Sequence, residues 1–229
     1  MTPLHVYLHA AAMGDHWREI VAELVGMIDG SGLYDSANSL RCVVVGGGET
    51  RYLASRGLPK WETIEYGGSV SEYEYPTLRM LWEHARREPE GCYLYMHSKG
   101  ASSYRENSQG AYAGKRFRDR WRKIMAYYLV TRWRDRVAEL DDADAVGCFP
   151  IGGPLPHYSG NFWWARGEHL ANLAEPAPQH PLRPGGEHPR LWAELWLQSA
   201  GGRFQSCYDN LSVDLDTAFV QGTYRRDIE

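Results

Sequence analysis

The stretch that decides the fold is GCYLYMHSKGAS, residues 91–102. It begins with the apolar run CYLYM and then changes to the polar, glycine-ended loop HSKG at residues 97–100. A short apolar run bounded by glycines is typical of a strand that is buried on both faces of a sheet. We therefore predict a central strand whose carboxyl end opens into a polar loop.

Other apolar runs along the chain predict further strands of the same kind. They are HVYLHA (5–10), RCVVVGGG (41–48) and ADAVGCF (143–149), with WETIEY (61–66) and RFQSCYD (203–209) as shorter candidates. Between them, apolar residues recur at helical spacing, most clearly over 14–32, 71–89 and 189–202, and over 114–144 with one break. This alternation predicts an α/β fold: a three-layer α/β/α single domain, residues 1–229, with a mainly parallel sheet.

The net charge of −4 argues against a dedicated nucleic-acid binder, because such domains are usually basic. Two basic stretches, 115–123 and 131–136, nevertheless contain several arginines interleaved with aromatic residues. They are either the solvated face of an amphipathic helix or a surface that contacts a nucleic-acid backbone. The helical spacing of the apolar residues favours the first interpretation, so we expect no nucleic-acid partner.

The four cysteines are far apart and form no CxxC pair, which is typical of free thiols in a reducing compartment. Neither they nor the histidines have a spacing that predicts a zinc site. No apolar run approaches 18 residues, and the amino terminus has no signal-peptide pattern. We therefore expect a cytoplasmic protein without a transmembrane segment.

The HSKG loop is the sharpest candidate for chemistry. In open α/β sheets, ligands bind beyond the carboxyl ends of the strands. Lys99 would supply a point charge for a phosphate there, and Gly100 would let the backbone approach it closely. The alternative is a solvated turn with Lys99 in water. The glycine triplet 46–48 is a weaker candidate, and a simple turn after a core strand explains it better than a phosphate loop does.

A second unusual stretch is HYSGNFWWARGEHL, residues 157–170. We interpret HYSG as the end of a loop rich in proline and glycine, and NFWWARGEHLANL (161–173) as a strand that turns into a helix. Its adjacent tryptophans point to opposite faces of a strand, so a single core accounts for only one of them. Further on, Glu194 lies in RLWAELW, a tryptophan-flanked helix. A carboxylate among apolar neighbours is a candidate general base, whereas the alternative is a solvent-facing helix residue.

In combination, YLYMHSKG, HYSGNFWWA and AELW give the chain a family resemblance. It resembles bacterial glycosyltransferase-like proteins of the GT-A type, the single-domain nucleotide-diphospho-sugar transferase fold, related to rhamnan-type polysaccharide biosynthesis proteins. The resemblance spans HVYLHA to AELWLQ. It implies a nucleotide-binding half, residues 1–100, and an acceptor-side half, residues 101–229.

The resemblance implies a donor site at the ends of the first, second and central strands. The residues expected to bind the nucleotide and diphosphate are His9, Ala10, Ala11, Gly46, His97, Ser98, Lys99 and Gly100. GT-A enzymes carry Asp-x-Asp after the central strand to hold Mn²⁺ or Mg²⁺ on the diphosphate. This chain has His-Ser-Lys in that place, so the resemblance leaves metal dependence open. A lysine there can neutralise the leaving diphosphate directly, and we expect metal-independent transfer.

The resemblance also implies a hydroxyl acceptor, saccharide or other, held by the HYSGNFWWA block. The residues expected to face the sugar or the acceptor are His157, Tyr158, Ser159, Gly160, Asn161, Trp163 and Trp164. We expect one indole to pack inward and the other to face the ligand together with His157 and Asn161. Glu194 would be the catalytic base, with Glu187 as the second choice, which implies an inverting hexosyltransferase.

Three functions therefore remain open at the level of the sequence. The first is a glycosyltransferase that uses a nucleotide-sugar donor in polysaccharide biosynthesis or natural-product glycosylation. The second is a non-catalytic carbohydrate- or nucleotide-binding domain on the same fold, which the missing Asp-x-Asp favours. The third is a nucleic-acid-associated protein that uses the basic segment 115–136, and the acidic total charge counts against it.

Overall fold

Seven strands form one sheet in the computed structural model, which describes residues 2–14, 16–47, 58–101, 109–178 and 189–208. The strands are β1 (Leu4–Ala11), β2 (Ser39–Val45), β3 (Trp61–Tyr66), β4 (Cys92–His97), β5 (Ala145–Cys148), β8 (Trp163–Arg166) and β9 (Phe204–Tyr208). A separate antiparallel pair consists of β6 (Pro150–Ile151) and β7 (His157–Tyr158).

The order of the large sheet is β3-β2-β1-β4-β8-β5-β9. β8 runs antiparallel to both of its neighbours, and every other pairing is parallel. β4 is therefore the middle strand, as the apolar run CYLYM predicts. The α/β fold class with a mainly parallel sheet is confirmed.

Helices cover both faces of the sheet. They are α1 (Trp17–Gly30), α2 (Leu33–Ser36), α3 (Tyr75–Arg87), α4 (Gln109–Ala126), α5 (Trp133–Glu139), α6 (Gly167–Asn172) and α7 (Pro189–Leu195). A π-helical turn, Tyr127–Thr131, separates α4 from α5, which confirms the predicted single break in the long helical segment. Within the described part of the chain, every helix is too short or too polar to span a bilayer.

Strand β1 shows how the two covered faces arise. Its even-numbered residues, such as Val6 and Leu8, pack with α1 in one apolar cluster. Tyr7 points the other way and packs with α3 in a second cluster. Because both faces are covered, side chains of both parities along a central strand are buried.

The same geometry corrects our expectation for the paired tryptophans. Trp163 and Trp164 are 1% and 0% exposed, and they belong to the two different apolar clusters. The Trp163 indole donates to Asn161 Oδ1 at 2.8 Å, and the Trp164 indole donates to the carbonyl of Leu129 at 2.8 Å. The expectation that one indole faces a sugar or acceptor is wrong. The sheet offers a helix-covered core on each side, so each face accommodates one indole.

Candidate functional site

A cavity of about 300 Å³ lies at the carboxyl ends of β1 and β4. Ligands of parallel α/β sheets bind at this end of the strands. Part of its lining comes from the end of β1 and from the HSKG loop: His9, Ala11, Met13, His97, Ser98, Lys99, Gly100 and Ala101. The rest comes from the segment before α3 and from α7: Val70, Ser71, Tyr73, Glu74 and Arg190.

The HSKG loop is held in one position by hydrogen bonds to β1 and α4. The backbone N–H of Ser98 donates to the carbonyl of His9 at 2.8 Å, and the N–H of Ala11 donates to Ser98 Oγ at 2.9 Å. The guanidinium of Arg122 donates to the carbonyl of Lys99 at 2.9 Å. The loop is therefore a rigid wall of the cavity.

Arg122 is buried beneath the HSKG loop and does not lie on a solvated face of α4. It is 2% exposed and pairs with Glu23 and Asp119 at 3.2 and 2.9 Å. Arg136, in the second basic stretch, is also buried. For these two arginines, the expectation of a solvated helix face is wrong, because their charges are neutralised inside the fold.

Lys99 does not extend into water as it would in a solvated turn. Its side chain is 6% exposed, and its ammonium lies 3.9 Å from the centroid of the Trp121 indole ring. Burial lowers the pKa of Lys99, while the negative charges of Glu194 and Glu74 act in the opposite direction. A desolvated ammonium at the wall of a cavity is an electrostatic site for an anionic group.

Glu74 and His97 place two proton acceptors at the same cavity. Glu74 is 4% exposed, and its Oε2 accepts hydrogen bonds from the Tyr95 hydroxyl at 2.9 Å and from the Asn161 amide. Its Oε1 lies 3.8 Å from Nδ1 of His97. Within the described residues, neither of these two atoms accepts a hydrogen bond.

The protonation of His97 follows from its other partner. Its Nε2 lies 2.9 Å from the carbonyl of Gly160, which can only accept, so the ring proton is on Nε2. Burial lowers the pKa of His97 to about 3, and the ring is therefore neutral near pH 7. Nδ1 then carries a lone pair beside the Glu74 carboxylate.

None of the predicted sugar or acceptor residues in the HYSGNFWWA block lines the cavity. Gly160 and Asn161 lie behind it, where they hold His97 and Glu74. The Tyr158 hydroxyl donates to the carbonyl of Gln205 at 2.6 Å, and His157 donates to that of Leu155 at 2.9 Å. Ser159 is half-buried, and its N–H donates to the carbonyl of Phe149 at 2.9 Å. The HYSGNFWWA block therefore supports the side chains of the cavity wall and does not itself line the cavity.

The backbone is strained where it supports the two acceptors. Tyr73 and Asn161 have φ values of 52° and 54°, although neither is glycine. Tyr73 precedes Glu74 and itself lines the cavity. Residues held in the left-handed region cost free energy and are concentrated at functional sites. The strained backbone is therefore a second indication that Glu74 and His97 belong to a functional site.

Most of the residues predicted to bind the donor lie around one cavity. His9, Ala11 and the whole HSKG loop line it, whereas Ala10 is buried and points away. Gly46 does not line it. A Cβ at Gly46 would lie 2.3 Å from Cγ1 of Val70, so this glycine lets the segment before α3 pack closely.

The two glutamates predicted as base have different outcomes. Glu194 is half-buried and does not line the cavity. Burial lowers the pKa values of Lys99 and His97, and the negative charge of Glu194 partly offsets this lowering. Glu187 lies outside the described residues. Sequence reasoning missed Glu74, whose only local signal is its place just before a helix, where acidic residues are common.

Comparison with known proteins assigns the chain to a family. The model of the family described as "Domain of unknown function (DUF8361)" matches residues 4–180. The chain belongs to this family. Within the DUF8361 match lie Glu74, His97 and Lys99, while Arg190 and Glu194 lie beyond it. No curated protein matches the chain.

Several solved structures are similar to the chain. One is 4-diphosphocytidyl-2C-methyl-D-erythritol synthase, at 9% identity and a TM-score of 0.45, covering 96% of this chain and 97% of that one. A protein from Desulfovibrio desulfuricans G20, described as a nucleotide-diphospho-sugar transferase, has 11% identity, a TM-score of 0.44, and coverage of 99% and 91%. HddC from Yersinia pseudotuberculosis has 10% identity, a TM-score of 0.45, and coverage of 90% of each chain. Such identities carry no information about activity.

In this DUF8361 member, the described lining of the cavity does not fit the Mn²⁺ or Mg²⁺ that the GT-A resemblance implies. Both ions prefer several oxygen ligands, usually including carboxylates. Among the described lining residues, Glu74 is the one carboxylate, and the ammonium of Lys99 shares the cavity with it. The sequence His-Ser-Lys therefore supplies a cation where the family pattern supplies two anions.

We expect Gly160→Ala to lower the free energy of unfolding by about 2–4 kcal/mol, because it combines left-handed strain with overpacking. Gly160 has a φ of 98°, and a Cβ there would lie 2.6 Å from Sδ of Met125. Gly153→Ala is the matched control, because Gly153 has a φ of 89° and nothing within 4 Å of an added Cβ. Urea denaturation measures both. Equal losses in the two variants would contradict a close approach at Gly160.

Proposed function

We propose that the chain is a hexosyltransferase that moves a sugar from a nucleotide-sugar donor to a hydroxyl acceptor, by a single displacement with inversion. The observation that carries this proposal is one cavity that combines a desolvated cation, Lys99, with two proton acceptors, Glu74 Oε1 and His97 Nδ1, which accept no hydrogen bond from the described residues. Glycosyl transfer needs both, because a negative leaving group departs while a hydroxyl loses its proton.

On the donor side, Lys99 and Arg190 are the cations among the described residues that line the cavity. They would neutralise the charge that develops on the nucleoside diphosphate as it leaves. Lys99 is suited to this role because the low dielectric around a buried ammonium strengthens its attraction for an anion. The nucleotide would lie in the half formed by residues 1–100, along the ends of β1 and β4.

On the acceptor side, the hydroxyl oxygen forms a bond to the anomeric carbon while the bond from that carbon to the diphosphate oxygen breaks. The hydroxyl proton passes to Glu74 Oε1. His97 is neutral, so its Nδ1 can orient the hydroxyl by accepting a hydrogen bond before the transfer. Gly160 and Asn161, in the acceptor-side half 101–229, hold the two acceptors in place.

We expect Lys99→Met to weaken binding of nucleoside diphosphates and their sugars at least tenfold, a change of about 1.4 kcal/mol or more. The matched control is Lys123→Met, because the Lys123 side chain is 51% exposed and lies outside the cavity. Isothermal calorimetry with UDP-, GDP-, CMP- and dTDP-sugars, with and without Mn²⁺, measures the affinities.

Three outcomes of that panel, combined with an assay of sugar transfer to hydroxyl acceptors, separate the alternatives. Absence of binding to every nucleotide in the unaltered chain would contradict the proposal. Binding without turnover on any hydroxyl acceptor would instead support a non-catalytic nucleotide- or carbohydrate-binding domain. Binding that requires Mn²⁺ would contradict the role assigned to Lys99.

A further inference from the structure

We propose that the opposite end of the sheet carries a binding site for a divalent transition metal, formed by His5, His84 and Glu88. His5 lies on the same face of β1 as His9. It is four residues earlier in the strand, which places it roughly 13 Å further from the cavity at a rise of ~3.3 Å per residue. The site therefore stands apart from the transfer reaction and does not depend on it.

The three side chains already have the separations of a metal site. Nε2 of His5 lies 3.3 Å from Oε2 of Glu88, and Nε2 of His84 lies 3.2 Å from Oε1 of the same carboxylate. With one ligand atom taken from each residue, the three atoms lie within 4.8 Å of one another. A tetrahedral Zn²⁺ with bonds of about 2.0–2.1 Å holds neighbouring ligand atoms roughly 3.3 Å apart. Small side-chain movements would therefore complete the coordination.

The Nε2 atom of His5 is an independent sign that a ligand is missing. His5 is 2% exposed, and this buried nitrogen has no hydrogen-bond partner among the residues that the structure describes. Its 3.3 Å contact with Glu88 does not have hydrogen-bond geometry. A buried polar atom without a partner costs free energy, and a metal bond would satisfy it.

The Nδ1 atom of each histidine ring has a hydroxyl group within hydrogen-bond distance. Nδ1 of His5 lies 2.9 Å from Oγ of Ser39, and Nδ1 of His84 lies 2.9 Å from the Tyr7 hydroxyl. Metal-binding histidines usually have such a partner, which fixes the ring orientation and the tautomer. Both rings are thus turned with Nε2 towards Glu88. This donor set of two imidazoles and one carboxylate suits Zn²⁺, with a water as fourth ligand.

Solvent access is provided by Glu88, whose side chain is 47% exposed. It is the C-cap residue that follows α3, four positions after His84, and its N–H donates to the carbonyl of His84, so the two residues lie on the same side of the helix. The two histidines are buried and fixed, while the carboxylate forms the entrance through which an ion and its water arrive.

Arg41 opposes metal binding. Its Nη1 lies 2.6 Å from Nδ1 of His84, and donation to that atom puts the ring proton on Nε2. Ligation by Nε2 needs the proton on Nδ1, from where it can be donated to the Tyr7 hydroxyl. Arg41 would then keep its bond to Glu62 at 2.7 Å and release His84. Removing the arginine should therefore tighten metal binding.

The test uses the full chain, stripped of metal with a chelator and titrated with Zn²⁺ by calorimetry. Co²⁺ replaces Zn²⁺ in a parallel titration, because four-coordinate Co²⁺ has intense visible absorption. We expect one ion per chain in the unaltered protein, binding at least tenfold weaker after Glu88→Gln, and tighter binding after Arg41→Met. Glu88 is partly exposed, so its substitution leaves the core intact.

The controls are Glu90→Gln, at an exposed neighbour of the site, and His16→Gln, at a histidine outside it. Both should bind Zn²⁺ as the unaltered chain does. Absence of a saturable site, or equal affinity in the Glu88→Gln and unaltered proteins, would overturn the proposal. Weaker binding in Arg41→Met would overturn the role given to that residue.

Discussion

Glu74→Gln is expected to lower the rate of sugar transfer by roughly 10²–10⁴-fold while donor binding stays within a few-fold of the unaltered value. The amide keeps an oxygen that can accept from the Tyr95 hydroxyl, but it cannot take a proton from the acceptor. Single-turnover measurements at saturating donor isolate the transfer step. Calorimetric binding of the donor to the same variant shows that the fold and the cavity are intact.

Glu194→Gln is the matched comparison, because the family resemblance implies Glu194 as base whereas Glu74 lines the cavity. We expect this variant to lose less than tenfold in rate. Its charge acts on Lys99 and His97 only through space. A large loss in Glu194→Gln with near-normal turnover in Glu74→Gln would reverse the assignment of the base.

The hydrogen bonds to Glu74 give a second test of the same pair. Asn161 and Tyr95 both donate to the carboxylate of Glu74. We expect Asn161→Ala to lower the rate of transfer at saturating donor, because the carboxylate loses a donor that fixes its orientation. An unchanged single-turnover rate would show that Asn161 does not position the base.

Local sequence patterns predicted the strand and the loop that form one wall of the candidate site. The apolar run CYLYM identified the central strand, and the composition of HSKG identified the loop at its end. Both inferences use properties of a few consecutive residues. The alternation of Trp163 and Trp164 was also correctly inferred, but their environment was not. The environment of each indole depends on whether helices cover both faces of the sheet, and those helices come from distant parts of the chain.

The residues that sequence reasoning missed owe their roles to tertiary contacts. Glu74 meets Tyr95 and Asn161, which are 21 and 87 residues away. In the sequence it resembles any acidic residue before a helix. The same holds for His5 and His84, whose rings are brought together by the packing of α3 on β1. Spacing rules detect metal or catalytic groups only when one local segment supplies them.

Mild acid is expected to destabilise the fold through His9 and His97. Both rings are buried, and burial lowers the pKa of His9 to about 4 and that of His97 to about 3. In the unfolded chain both have a pKa near 6.5. Below that value the unfolded state takes up protons that the folded state refuses, so the free energy of unfolding decreases as pH falls.

The loss begins below pH 6.5, grows by about 1.4 kcal/mol per pH unit for each histidine, and levels off near the folded pKa values. By pH 4.5 it amounts to on the order of 2–3 kcal/mol for each ring. Above pH 7 these two groups contribute no pH dependence. Urea denaturation at pH 7.5, 6.0 and 5.0, in the presence of a chelator, measures the slope.

His97→Gln removes one titrating ring and keeps a donor for the carbonyl of Gly160. It should be less stable than the unaltered chain at pH 7.5 but should lose less stability between pH 7.5 and 5.0. His16→Gln should retain the full slope, because the His16 side chain is 28% exposed and is not enclosed by the core. The same slope in all three proteins would mean that the acid sensitivity comes from other groups. A smaller loss of stability with falling pH in His97→Gln alone would assign the acid sensitivity to the His97 ring. Because this ring also faces Glu74, the result would link acid stability to the candidate site.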